Sequence, residues 1–156
     1  GGNPQQLVLM GHSAGGHLVG LLGADPERVI KAGGQRWAGT VALDSGAMDV
    51  PGIMQWPHLP LYDDAFGKNP AAWEAVSPLH QLTPQATPFL LVCSSQRAAS
   101  CPHHQRFARQ LQSLGGTATV REEALTHAAI NDTLGLPGAY TQAVDDFIHQ
   151  VLGYAR

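Results

Sequence analysis

The sequence predicts an α/β fold, a parallel sheet of about four strands flanked by helices. Three observations carry that expectation. Leu7 to Met10, Thr40 to Leu43 and Pro88 to Cys93 are short apolar runs of strand length, and Thr117 to Glu122 alternates as a fourth. Helical patterns lie between successive runs, as right-handed crossovers between parallel strands require. The first run passes directly into Gly11-His12-Ser13-Ala14-Gly15 and then into a small-residue helix, which makes a strand, a tight turn and a helix in immediate succession.

The turn is the most informative stretch. A serine there sits in a strained backbone conformation with its hydroxyl clear of the sheet, the placement of a nucleophile. Both flanking glycines, Gly11 and Gly15, are expected to give room, because a β-carbon at either would collide with the neighbouring strand or helix. The N–H of Ala14 opens the helix and faces the reacting atom, where it can stabilise a developing oxyanion. Ser13 also reads as an N-cap for the same helix.

The remaining elements follow in order. Ala14 to Ala24 is a helix in which Gly15, Gly16, Gly20 and Gly23 permit close approach. Each costs roughly 1 kcal/mol against alanine, so packing must hold the helix and it is expected to be buried. Asp25-Pro26-Glu27 caps a short helix through Ala32, with proline at its first position, and Gly33-Gly34 ends it. The second strand closes at Asp44-Ser45-Gly46. Residues 47–61 read as an irregular insertion whose Met48, Ile53, Met54 and Trp56 either line a pocket or fill space. Ala71 to Val76 is a short helix, and Ser77-Pro78-Leu79 turns the chain back. Pro102 to Leu114 is a helix with Phe107, Leu111 and Leu114 on one stripe. A loop carrying Leu125-Thr126-His127 and a short helix come next. Tyr140 to Leu152 closes the chain, with Val144, Phe147, Ile148 and Val151 inward.

At 156 residues the chain suits one domain burying about two-thirds of its unfolded surface. A formal net charge of -3 supplies no basic field, which excludes nucleic acid as a partner on electrostatic grounds. No apolar run reaches the roughly 20 residues that cross a bilayer. The chain opens on Gly1-Gly2-Asn3-Pro4 without a signal-peptide pattern, and localisation stays open. Cys93 and Cys101 read equally as a local disulfide or as two small apolar residues, and no Cys/His cluster has zinc spacing.

Taken together, Gly11-His12-Ser13-Ala14-Gly15-Gly16, Ser45-Gly46 followed by Asp49, Phe66-Gly67 leading to Trp73 and Ser77-Pro78-Leu79, and Thr126-His127 resemble the C-terminal half of an α/β-hydrolase. The branch is that of small carboxylesterases and kynurenine-formamidase-like enzymes. The resemblance implies that residues 1–156 form one partial α/β-hydrolase domain holding strands five to eight. The first four strands and the His-Gly-Gly loop with the second oxyanion N–H would lie outside it, since Gly1-Gly2 does not match that loop. One sheet edge would then stand unpaired and invite self-association.

The resemblance further implies a serine hydrolase acting on small-molecule carboxylic esters or N-formyl amides, with no metal and no organic cofactor. Ser13 is the nucleophile. Of the eight histidines, His127 alone follows the last strand and returns to the sheet edge that carries Ser13, and the order Ser then His fits the family. The family's acid belongs in the loop between Ser95 and Cys101, which holds no carboxylate. Three explanations stand: an acid moved to the tip of the second strand, at Asp44 or at Asp49; a Ser-His dyad; or an altered copy that binds without catalysis. Asp44 is the preferred position, and it reads equally as a turn former holding its own loop amides.

Overall fold

Alternating apolar residues on two central strands organise the molecule, a computed structural model describing residues 2–4 and 6–154. Gly1 of the opening Gly1-Gly2 pair lies outside the described residues. Strands β1 (Val8–His12), β2 (Gly39–Leu43), β3 (Phe89–Ser94) and β4 (Ala118–Glu123) form one parallel sheet in the order β1-β2-β3-β4. The fold class expected from sequence is the one observed. Every residue of β2 and β3 is buried, whereas β1 and β4 at the edges are only partly so.

The sheet separates two apolar layers. Ala42, Phe89 and Leu91 point to one side and pack with Met48, Phe107 and Leu111. Val41, Leu43, Leu90 and Val92 point to the other and pack with Ile130, Tyr140, Val144 and Phe147. Helices α1 (Ala14–Ala24) and α6 (Ser100–Ser113) supply the first layer, and α7 (His127–Asp132) and α8 (Ala139–Leu152) the second. Burying one such side chain is worth about 1.5–3 kcal/mol, so the two-sided strands hold the sheet together.

Between these lie α2 (Glu27–Lys31), α3 (Val50–Met54), α4 (Pro60–Phe66) and α5 (Pro70–Trp73). Several local expectations are corrected. Helix α2 begins at Glu27, and the Asp25 carboxylate pairs with the Arg28 side chain instead of capping. The insertion is not irregular, because Asp49 caps α3 by accepting from the Gly52 N–H. His127 opens a helix that Thr126 caps rather than lying in a loop. Helix α1 is buried on the face carrying Gly16, Gly20 and Gly23, but Leu18 and Leu22 on the opposite face are exposed. The glycines therefore serve only one side of it. A β-carbon at Gly11 would meet the Gly15 carbonyl oxygen at 2.3 Å, while one at Gly15 would meet nothing within 4 Å. Close approach at the turn rests on Gly11, and also on Gly16, whose β-carbon would crowd Ser45 at 3.1 Å.

Candidate active site

The carboxyl ends of the four parallel strands converge on one region, where open α/β sheets bind their ligands. Ser13 follows β1 directly, Asp44 follows β2, Ser94 ends β3, and His127 stands just beyond β4. Two non-glycine residues among those described have positive φ, Ser13 at 57° and Asp44 at 46°. Such conformations cost about 1–3 kcal/mol each and persist where the surroundings over-determine them. At Ser13 the main-chain N–H donates to the Leu43 carbonyl (2.9 Å), and at Asp44 to the Val92 carbonyl (2.7 Å). Each strained turn is thereby tied to the next strand. The Ser13 hydroxyl makes no cap bond to α1, so the capping role does not hold.

The hydroxyl faces His127 instead. Ser13 Oγ lies 2.9 Å from His127 Nε2, and His127 Nδ1 lies 2.6 Å from Asp44 Oδ2. Asp44 is fully buried. Its Oδ1 accepts from the Ser94 main-chain N–H at 2.9 Å and from the Ser100 hydroxyl, and its Oδ2 also accepts from Arg97 Nη1 at 2.7 Å. Burial pushes its carboxyl pKa up. Hydrogen bonds from Ser100, His127, the Ser94 amide and Arg97 outweigh burial and bring the value down to about 2. An ionised carboxylate only accepts, so the Nδ1 proton points at Asp44 and Nε2 is left free to accept from Ser13.

Other side chains frame this row. His12 Nε2–H donates to the His127 carbonyl (2.8 Å), and the two rings lie against each other at a 35° tilt with centroids 4.4 Å apart. Ser94 Oγ donates to the Leu125 carbonyl at 2.6 Å and Gln96 Nε2 to the Ala124 carbonyl at 3.0 Å, which ties the end of β3 to the segment leading into His127. Cys93 and Cys101 form a disulfide that brackets the loop carrying Arg97 and Ser100. Sequence reasoning missed Arg97, Ser94, Ser100 and His12 as members of the site. Arg97 left the one available signal, a cation in the loop where a carboxylate was sought.

Asp49 does not reach His127. It is buried, caps α3 and pairs with Arg106. His17 Nε2 bonds the Val76 carbonyl at 2.7 Å, and burial lowers its pKa. His104 is buried beneath Asp44, its Nδ1–H donates to the Ser100 carbonyl, and burial brings its pKa to about 4. A cavity of about 550 Å³ opens over Ser13, Ala14 and His127, walled by Leu59, Leu61, Tyr62 and Phe66. Met48 and Met54 are core residues, while Ile53 and Trp56 line a neighbouring cavity of about 440 Å³. The wall of the Ser13 cavity thus comes from α4 and its approach, further along the insertion than expected. Among the described residues no group of three or more His, Cys, Asp or Glu could hold a metal ion, and no helix is long and apolar enough to cross a membrane.

No protein-family model and no curated protein matches the chain. Solved structures do. The acetyl ester-xyloside bifunctional hydrolase of Caldicellulosiruptor lactoaceticus aligns over 94% of this chain and 57% of its own, with TM-score 0.68 and 20% identity. Carboxyl esterase 2 of the fungus Tuber melanosporum aligns over 99% and 55%, with TM-score 0.67 and 18% identity. A thermophilic esterase of Thermogutta terrifontis aligns over 94% and 55%, with TM-score 0.66 and 17% identity. The chain carries part of the α/β-hydrolase fold. It spans 55–57% of the length of these three structures.

Proposed function

We propose that this chain acts as a serine hydrolase on carboxylic esters, through an acyl-enzyme. The row from Ser13 Oγ to His127 Nε2 at 2.9 Å and from Nδ1 to Asp44 Oδ2 at 2.6 Å carries this reading. Ester hydrolysis needs a nucleophile, a base and an acid that fixes the base's tautomer. In this reading Ser13 Oγ attacks the ester carbonyl carbon as its proton passes to Nε2. The carbonyl oxygen takes up negative charge beside the Ala14 N–H, one of the first-turn amides that have no partner within α1. Collapse of the tetrahedral intermediate expels the alcohol, which takes the proton from His127. Water then attacks the acyl-serine by the same steps in reverse order. The cavity's apolar walls suit a small-molecule ester, and the esterases among the solved neighbours support that substrate class.

Ser13→Ala should reduce p-nitrophenol release from short-chain p-nitrophenyl esters by at least on the order of a thousandfold, with an unchanged circular dichroism spectrum. Equal activity in the variant would overturn the assignment.

A second reading has its own observation. The outer edge of β1 pairs with no other described strand, and Met10, Leu18 and Leu22 nearby are exposed. Such an edge suits a domain that works by association, through self-pairing included. Fluorophosphonate labelling separates the two readings, since only an activated serine reacts.

A further inference from the structure

The loop between β3 and α6 lacks a carboxylate, yet it and the first residue of α6 each meet Asp44 with a donor. Arg97 Nη1 reaches Asp44 Oδ2 at 2.7 Å, the Asp44 main-chain carbonyl at 2.9 Å and His127 Nδ1 at 3.0 Å, and Ser100 Oγ donates to Oδ1. We propose that Arg97 is a positioning residue whose guanidinium fixes the Asp44 carboxylate against His127 and so selects the imidazole tautomer able to take the Ser13 proton. The proposal rests on the serine-hydrolase reading above.

The chemistry of the contacts carries it. One guanidinium nitrogen holds both the side chain and the main chain of the same residue. It therefore pins the carboxylate's rotation and the positive-φ turn that presents it. Arginine has donors only and does not lose its proton at any ordinary pH. At His127 Nδ1 it can bond only an unprotonated nitrogen, and in that tautomer Nε2–H would point at Ser13 and could not accept. Asp44 decides against that form. Its two oxygens together accept from Ser94 N, Ser100 Oγ, Arg97 Nη1 and His127 Nδ1, which fills the roughly four acceptor sites of a carboxylate. With Oδ2 held by Arg97, the place left on it is the one that the Nδ1 proton occupies.

The other groups facing this trio are His12, whose ring lies against that of His127 from the end of β1, and His104 from α6, which interacts with both Asp44 and Arg97. Tyr140 from α8 also interacts with Asp44, and with Glu123 and Arg121 of β4. The Cys93–Cys101 disulfide closes the loop that carries Arg97 at both ends.

The test compares wild type with Arg97→Met and Arg97→Lys, reading kcat and KM for p-nitrophenyl acetate across pH and the His127 ring tautomer by ¹⁵N NMR. Arg97→Met should lower kcat about 10–100-fold, the scale of misplacing a catalytic group, with KM unchanged. In its ¹⁵N spectrum the His127 ring should lose the single Nδ1–H tautomer expected of the wild type and show a mixture of the two. Arg97→Lys keeps the charge at shorter reach and cannot hold the Asp44 carboxylate and carbonyl together, so kcat should fall and the tautomers should mix, and this variant carries the test if the methionine form does not fold. A loss of kcat with the Nδ1–H tautomer intact in Arg97→Met would make Arg97 merely structural and overturn the proposal, as would wild-type values in both variants. A wild type inert toward both the ester and a fluorophosphonate would sink the hydrolase reading. The ring tautomer then still decides for or against Arg97.

Discussion

The ends of β2 and β3 stand side by side at the centre of the sheet, and they are built in opposite ways. The end of β2 is short and strained, and it presents one charge, Asp44, from a positive-φ position. The end of β3 is a wider loop, closed by the Cys93–Cys101 disulfide, that presents the Ser94 amide, Ser100 and Arg97. One side supplies an anion and the other its donors. Neither is complete alone: the carboxylate without donors would be a buried charge, and without it the buried Ser94 amide and Ser100 hydroxyl would lose their acceptor. A carboxylate missing from one strand end is thus balanced by a carboxylate on the next.

Three experiments probe that division. The largest effect is expected at the anion. Under the proposed mechanism, Asp44→Asn should cost kcat on the order of ten-thousandfold, as loss of the corresponding aspartate does in serine proteases, measured as p-nitrophenyl acetate turnover at neutral pH. A loss smaller than that of Arg97→Met would invert the comparison and make the β3 loop the senior partner. Next comes the closure of the donor loop. Replacing Cys93 and Cys101 by serine should lower stability by about 2 kcal/mol, the loop-closure effect for so short a loop, seen as a lower urea midpoint. A several-fold fall in kcat should accompany it, because Arg97 and Ser100 lose their fixed frame. Unchanged turnover would show that the donors hold themselves in place.

The smallest effect is in acid. Asp44 has a folded-state value of about 2 against an ordinary 3.8, so the unfolded chain binds this proton more readily than the folded one. The resulting stabilisation is complete above pH 3.8 and is lost as pH falls through about 2. It amounts to about 2 kcal/mol. Denaturant midpoints should therefore separate wild type from Asp44→Asn more widely at pH 6 than below pH 3. A separation that does not change with pH would mean that the donors of the β3 loop do not recognise the charge.

Much of the fold was legible because its signals are local. The runs at Thr40 to Leu43 and Pro88 to Cys93 are apolar since both faces are covered, and the strand, turn and helix around Ser13 announce themselves within a dozen residues. The misreadings were also local in origin. Spacing assigns a close approach to Gly11 and Gly15 alike and only Gly11 makes it, because position along the chain does not say which glycine faces the helix turn. Residues 47–61 read as irregular because prolines mask α3 and the start of α4, whose apolar side chains form a small cluster of their own with Trp73 and Val76.

The sequence by itself determined the sheet, the order of its elements and the serine on its tight turn, since hydrophobic period and turn chemistry act between near neighbours. Only the tertiary structure set Asp44 and not Asp49 against His127, bridged Cys93 to Cys101, and brought Arg97 to a carboxylate 53 positions away. Those outcomes depend on which strand ends the parallel register brings together, and no residue type carries that information until the sheet has formed.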